Sequence, residues 1–90
     1  MEKYLYDLGL DSNKVGYKFL IEALELINND KVLSLHICRV YDSIGKKYEK
    51  SRQYVDRSLQ SLFNHSFLTK RKTKDQLLFI LNDLKKKKLI

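Results

Sequence analysis

The sequence predicts an all-α fold, a compact helical domain of about five to six helices that contains a helix-turn-helix, and three observations predict it. Apolar residues recur at three- and four-residue spacing along most of the chain, the period of one helix face. Proline is absent and glycine occurs three times, so few positions break a helix. Apolar residues are 43% and charged residues 32% of the chain, a globular balance with too much hydrophobicity for an obligately disordered protein. With no low-complexity linker or internal repeat, residues 1–90 read as a single helical domain. At that length it buries roughly 60 to 65% of the surface its unfolded chain exposes.

Taken in order, residues 2–8 predict a short first helix ending at Gly9, a position suited to a left-handed C-cap. Residues 14–28 predict a clearer one, with Val15, Phe19, Ala23, Leu24, Leu26 and Ile27 as a broad apolar stripe and Asp11, Ser12 or Asn13 as its front cap. The turn Asn28, Asn29 and Asp30 stops it. Lys31 to about Val40, carrying Val32, Leu35, Ile37 and Val40, reads as a third helix. Ile44 and Tyr48, four apart, belong to a short helix that Asp42 or Ser43 caps. A helix over 52–65 follows, then a basic connection from Leu68 to Lys74. A last helix over about 75–87 turns Leu77, Leu78, Leu81 and Leu84 inward.

The segment of about 42–65 has the layout of a helix-turn-helix. Val55, Leu59, Leu62 and Phe63 recur at i, i+4, i+7 and i+8, and Ser51 stands where its oxygen can accept the N–H of Gln53 or Tyr54. Only Glu49 and Lys50 separate this helix from the one before, close to the three or four residues of the motif's turn. Gly45, costly inside a helix, predicts a close approach of two helices.

Opposite the apolar face stand Gln53, Arg57, Gln60 and Asn64, flanked by Ser61. Arginine pairs bidentately with guanine, and glutamine or asparagine with adenine, so these are side chains that read base edges in a major groove. An ordinary solvated face has the same composition. Tyr54, near the start of that face, suits a sugar or a thymine methyl, or equally packing on the previous helix. Lys46 and Lys47 on the preceding helix, with Lys50, Ser51 and Arg52 at the start of the next, are candidate phosphate contacts.

Lysine and arginine less aspartate and glutamate come to −3 for residues 1–30, +1 for 31–44, +3 for 45–63 and +6 for 64–90. A formal net charge of +7, gathered in one half, is the electrostatic footprint of a nucleic-acid binder. Lys70, Arg71, Lys72 and Lys74 extend a phosphate path beside the recognition helix. Lys85 to Lys88 say less, because cations favour any helix C-terminus and keep a small domain soluble.

Other chemistries find little support. His36 and Cys38, two apart, fall on different sides of a helix, and His65 is distant, so no metal or cofactor is expected. Cys38 lacks a visible base and reads as a small core thiol, and no enzyme is expected. Most of the six tyrosines and four phenylalanines read as core. Asp7 and Asp11 read as surface or capping residues. One cysteine, no signal peptide and a longest apolar run of five residues leave a cytoplasmic protein with no membrane partner as the expectation.

Nearly the whole chain resembles a family, the C-terminal effector domain of the sporulation-initiation response regulator, the stage-zero sporulation protein A type of spore-forming Firmicutes. L-G-L-D-S-N-K-V-G-Y-K-F-L-I-E-A-L at Leu8 to Leu24 is similar to the family's I-G-V-P-A-H-I-K-G-Y-L-Y-L-R-E-A-I. Asn29 with Asp30, and the I-x-x-V of Ile37 to Val40, also fit. I-G-K-K-Y at Ile44 to Tyr48 resembles I-A-K-K-F, Y-V-D-R-S-L at Tyr54 to Leu59 resembles R-V-E-R-A-I, and D-Q-L-L-F-I-L-N-D near the end resembles S-E-F-I-A-M-V-A-D.

The resemblance implies a DNA-binding transcription regulator whose recognition helix enters the major groove of short, often tandem, promoter boxes on double-stranded DNA. Arg57 matches the family's recognition-helix arginine, and Lys46 and Lys47 match its paired lysines. Tyr54 and Gln60 replace two of its arginines, which alters the expected sequence preference. A proline before the motif is missing. The segment between recognition helix and last helix is much shorter, and since that segment helps neighbouring domains meet, a homodimer on tandem sites cannot simply be carried over.

Ninety residues leave no room for the family's phosphoacceptor domain, so the chain is expected to be either solitary or excised from a longer regulator. Two rival readings stay open: a module that has lost specific DNA binding and docks a protein partner, such as a related regulator, and an RNA binder using the basic half.

Overall fold

The structure is a computed structural model that describes residues 2–64 and 72–88. Among these residues all regular structure is helical, as the apolar periodicity predicts: α1 (Glu2–Asp7), α2 (Val15–Asn29), a 3₁₀ helix (Lys31–Leu35), α3 (Ile37–Tyr48), α4 (Arg52–Asn64) and α5 (Thr73–Lys86). α2 is the central helix and lies against α3, α4 and α5.

α1 ends as its glycine predicts. Gly9 has φ 82°, the Gly9 amide donates to the Tyr6 carbonyl and the Leu10 amide reaches back to that of Leu5, which together form a Schellman cap. The turn carries Leu10 into the core, where it is 3% exposed. α2 starts differently from expectation. Its N-cap is Lys14, with no side-chain cap, because Asp11 turns its carboxylate to the amide of Asn13 instead. Val15, expected in the apolar stripe, is exposed, and Leu26 is half-buried; Phe19, Leu20, Ala23, Leu24 and Ile27 form the buried face.

The region 31–48 corrects the sequence reading most. Residues 31–40 do not form one helix, and Asp42 and Ser43 cap nothing. Asp30 accepts the Val32 amide and opens the 3₁₀ helix, in which residues three apart stack on one side. Val32 and Leu35 consequently share an exposed side, while Leu33 turns toward the core. After His36 the chain enters α3, continuous to Tyr48 because nothing from Ile37 onward breaks it and Val40, Tyr41 and Ile44 keep one buried face. Asp42 therefore lies mid-helix and exposed.

α4 buries Val55, Leu59, Leu62 and Phe63. α5 begins two residues before the expected start, and buries Leu77, Ile80, Leu81 and Leu84; Leu78, expected inward, is half-buried. One contiguous core joins these faces with Tyr4 and Leu5 of α1. Tyr4 donates its hydroxyl to Asp83 at the end of α5 and so ties the first helix to the last.

Candidate nucleic-acid interface

The position of α4 follows from backbone packing at two glycines. A Cβ on Gly16 would sit 2.3 Å from the Ser58 carbonyl oxygen, so the first turn of α2 lies directly on the middle of α4. A Cβ on Gly45 would sit 2.4 Å from the Lys50 carbonyl oxygen. The close approach predicted at Gly45 is thus to the turn of the motif and not to a second helix.

That turn is Glu49, Lys50 and Ser51. Glu49 adopts a left-handed conformation, with φ 57°, and the Lys50 amide returns to the Gly45 carbonyl at 2.8 Å. Ser51 accepts the Tyr54 amide at 3.1 Å, the N-cap expected from sequence. α3 and α4 pack closely around this turn, and α4 presents its polar face to solvent.

On that face Gln53, Arg57, Gln60, Ser61 and Asn64 are all exposed. Arg57 and Gln53 have no side-chain hydrogen bond or ion pair among the described residues, whereas the Gln60 amide donates to the Asp56 carboxylate at 3.0 Å. The polar row divides between two flanks. Gln53, Gln60 and Asn64 border a cleft floored by Tyr41 and Phe63, and Arg57 and Ser61 border a shallow groove shared with Tyr54 and the first turn of α2.

Tyr54 packs on Phe19 of α2, whereas the packing expected for it was on the helix before α4. Its ring meets Phe19 edge-on at 6.1 Å, yet 39% of the residue remains exposed. The Lys50 ammonium lies 5.0 Å from the ring centre, a cation held on an aromatic face beside α4.

The candidate phosphate contacts differ in availability. Lys46 is exposed and carries no ion pair among the described residues. Lys47 is paired with Glu22 of α2, which also accepts the Tyr48 hydroxyl. Its hydrogen bond to Glu22 holds the Lys47 ammonium above its ordinary pKa, against a smaller opposing effect of desolvation. Partial burial, then the same carboxylate, push the Tyr48 phenol up. Arg52 reaches Asp42 at 3.7 Å, an exposed pair of the kind that contributes little. Lys72 is exposed at the N-cap of α5, and Lys74 borders the cleft. Lys70 and Arg71, and His65 at the expected end of the recognition helix, lie outside the described residues.

Cys38 is exposed near the start of α3, not a core thiol, because the true start of α3 turns Ile37 and Tyr41 inward and leaves it on the outer side. No group of three metal-ligating side chains occurs among the described residues, and no described helix is long and apolar enough to cross a membrane. Sequence reading also missed Lys14 as a neighbour of Arg57. Only the packing of α2 on α4 brings them together, and no spacing along the chain signals it.

Comparison with curated proteins and with solved structures gives no match. A family model does match, that of the sporulation initiation factor Spo0A C terminal, over residues 1–88. This is a family of DNA-binding effector domains, in keeping with the helix-turn-helix and the basic charge. The match spans α1 to α5 and agrees with the resemblance carried by Gly16, Lys46, Lys47 and Arg57; the chain belongs to the sporulation initiation factor Spo0A C-terminal family.

Proposed function

We propose that the chain is a sequence-specific regulator of transcription that binds double-stranded DNA by placing α4 in the major groove. The observation that carries this reading is the pairing of a buried α3–turn–α4 packing face with an outward row of Gln53, Arg57, Ser61 and Asn64. Arg57 matches the family's arginine and has no side-chain partner among the described residues, so it is the leading base contact, with guanine as its natural mate. Gln53 and Asn64 read the neighbouring pairs. Gln60 joins them once it releases Asp56, an exposed i,i+4 contact worth only about 0.2 to 0.5 kcal/mol. Tyr54 offers its exposed edge to a sugar or thymine methyl.

Lys46, Lys50, Ser51 and Arg52 hold phosphates around the turn, with Lys72 on the α5 side and Lys70 and Arg71 in the connection before it. Lys47 joins them only by leaving Glu22. The test is selection of bound sequences from random duplex at fixed salt. Enrichment of a motif that Arg57→Ala relaxes supports the reading. Failure to enrich any motif, together with salt-independent binding, overturns it in favour of a module that docks a protein partner.

A further inference from the structure

Residues 1–30 carry a net charge of −3, yet two of their three lysines flank the helix-turn-helix, Lys14 beside α4 and Lys18 beside the end of α3. Lys14, the N-cap of α2, lines the shallow groove whose opposite wall is Tyr54, Arg57 and Ser61. Lys18 follows one turn later on the same face of α2, its ammonium 4.7 Å from the centre of the Tyr48 ring. This edge is held against α4 by direct backbone contact, the Gly16 approach to the Ser58 carbonyl. The carboxylate one further turn along, Glu22, already faces the Lys47 ammonium. The stretch from Lys14 to Lys18 itself carries two positive and no negative side chains within an acidic third of the chain.

Two further details suit it to an anion. Lys18 and Lys50 are each seated on a tyrosine ring, on Tyr48 and Tyr54 respectively, so both long side chains lose less freedom when they meet a charge. Val15, unexpectedly exposed beside Lys14, gives the groove an apolar lip for the sugar between successive phosphates.

We propose that Lys14 and Lys18 form a second phosphate-holding rim on the α2 side of the recognition helix, so that the backbone of the bound duplex is gripped by α2 as well as by the helix-turn-helix. The ligand is the sugar-phosphate backbone flanking the box that α4 reads, and the inference rests on the DNA-binding reading above. Because a backbone contact carries no sequence information, the rim sets register and affinity and leaves base preference alone.

The experiment compares the parent chain with the double variant Lys14→Ala/Lys18→Ala on the selected duplex between about 50 and 200 mM salt. Loss of two phosphate contacts lowers the steepness of log affinity against log salt by roughly 1.8, at about 0.9 per contact, with an unchanged preferred sequence. Lys18→Met keeps the apolar stem on Tyr48 and is expected to lower the slope by about half as much, with an unchanged melting temperature. Lys86→Ala, which removes a charge from the last turn of α5, leaves the slope where it was.

A slope in the double variant equal to the parent's overturns the rim, as does an equal loss in Lys86→Ala. If the parent binds duplex and Arg57→Ala relaxes its preference while the lysine variants do nothing, only the rim fails. A parent chain with no salt-dependent duplex binding overturns both readings.

Discussion

Gly16 of α2 meets the main-chain carbonyl of Ser58 in α4 so closely that a Cβ would lie 2.3 Å from its oxygen. A backbone carbonyl cannot rotate away like a side chain, so any larger residue pushes α2 off α4. Gly16→Ala is expected to cost about 1 to 3 kcal/mol despite the better helix propensity of alanine. Urea unfolding gives the number. A stability equal to the parent's would mean that the two helices separate freely.

Arg57→Ala is expected to reduce discrimination at one base pair by about 1 to 3 kcal/mol, while Lys46→Ala weakens all duplexes alike and lowers the salt slope by about 0.9. Binding titrations on the selected box and its single-base variants separate the two effects. Equal behaviour of the two variants would contradict the division of labour between α4 and α3.

Glu22 restrains Lys47, and releasing it should strengthen duplex binding. Glu22→Gln is expected to steepen the salt dependence by up to about 0.9, the share of one added phosphate contact. The gain should vanish in Glu22→Gln/Lys47→Ala. If the gain persists in the double variant, Glu22 acts by general repulsion of the duplex and not through Lys47.

Ser51 accepts the Tyr54 amide and starts α4. Ser51→Ala is expected to lose about 0.5 to 2 kcal/mol of stability, and Ser51→Asp to retain it, since aspartate caps equally well. The aspartate variant should nevertheless bind duplex more weakly, because it places a negative charge where a phosphate is expected. Thermal melts and binding titrations on the same samples test both halves.

Tyr4 and Tyr41 set the alkaline limit. Burial is the first cause for both, and it raises each phenol well above the ordinary value of 10.0; the Asp83 hydrogen bond and charge add to it at Tyr4, and the Asp56 charge at Tyr41. With folded pKa values above unfolded ones, the stability they contribute is fully present below about pH 10 and declines as pH rises beyond it. Tyr4→Phe is expected to lower neutral-pH stability by about 1 kcal/mol through its lost hydrogen bond and to make the alkaline decline shallower. Denaturant unfolding at pH 7, 9 and 10.5 checks this, and an unchanged alkaline slope would count against Tyr4.

α4 was legible because its signals are local. Val55, Leu59, Leu62 and Phe63 repeat at helical spacing, Ser51 caps, and Gly9 ends α1 by a conformation that few other residues adopt. Residues 31–48 misled for the same reason. Val32 and Leu35 look like part of the helix holding Ile37 and Val40, but the tighter 3₁₀ winding turns both outward, and Asp42 resembles a cap only until α3 is seen to pass through it. Asp11, one of the good caps before α2, serves a turn instead. The lysines of α2 could not be placed from sequence, since segment charge sums put Lys14 and Lys18 in the acidic third and only the packing of α2 on α4 brings Lys14 into the groove beside Arg57.

The Tyr4–Asp83 bond joins residues 79 apart in sequence, and that separation has a kinetic meaning. Closing so long a loop costs about 4 kcal/mol of chain entropy beyond the contact itself unless α2 to α5 have already gathered. The corner where α1 docks is therefore expected to form late in folding and to reopen first in the native protein, with α2 and α4 closed around their glycine contact. Amide exchange should show α1 opening with a smaller free energy than α4, leaving the α2–α4 pair insulated from the fraying of α1.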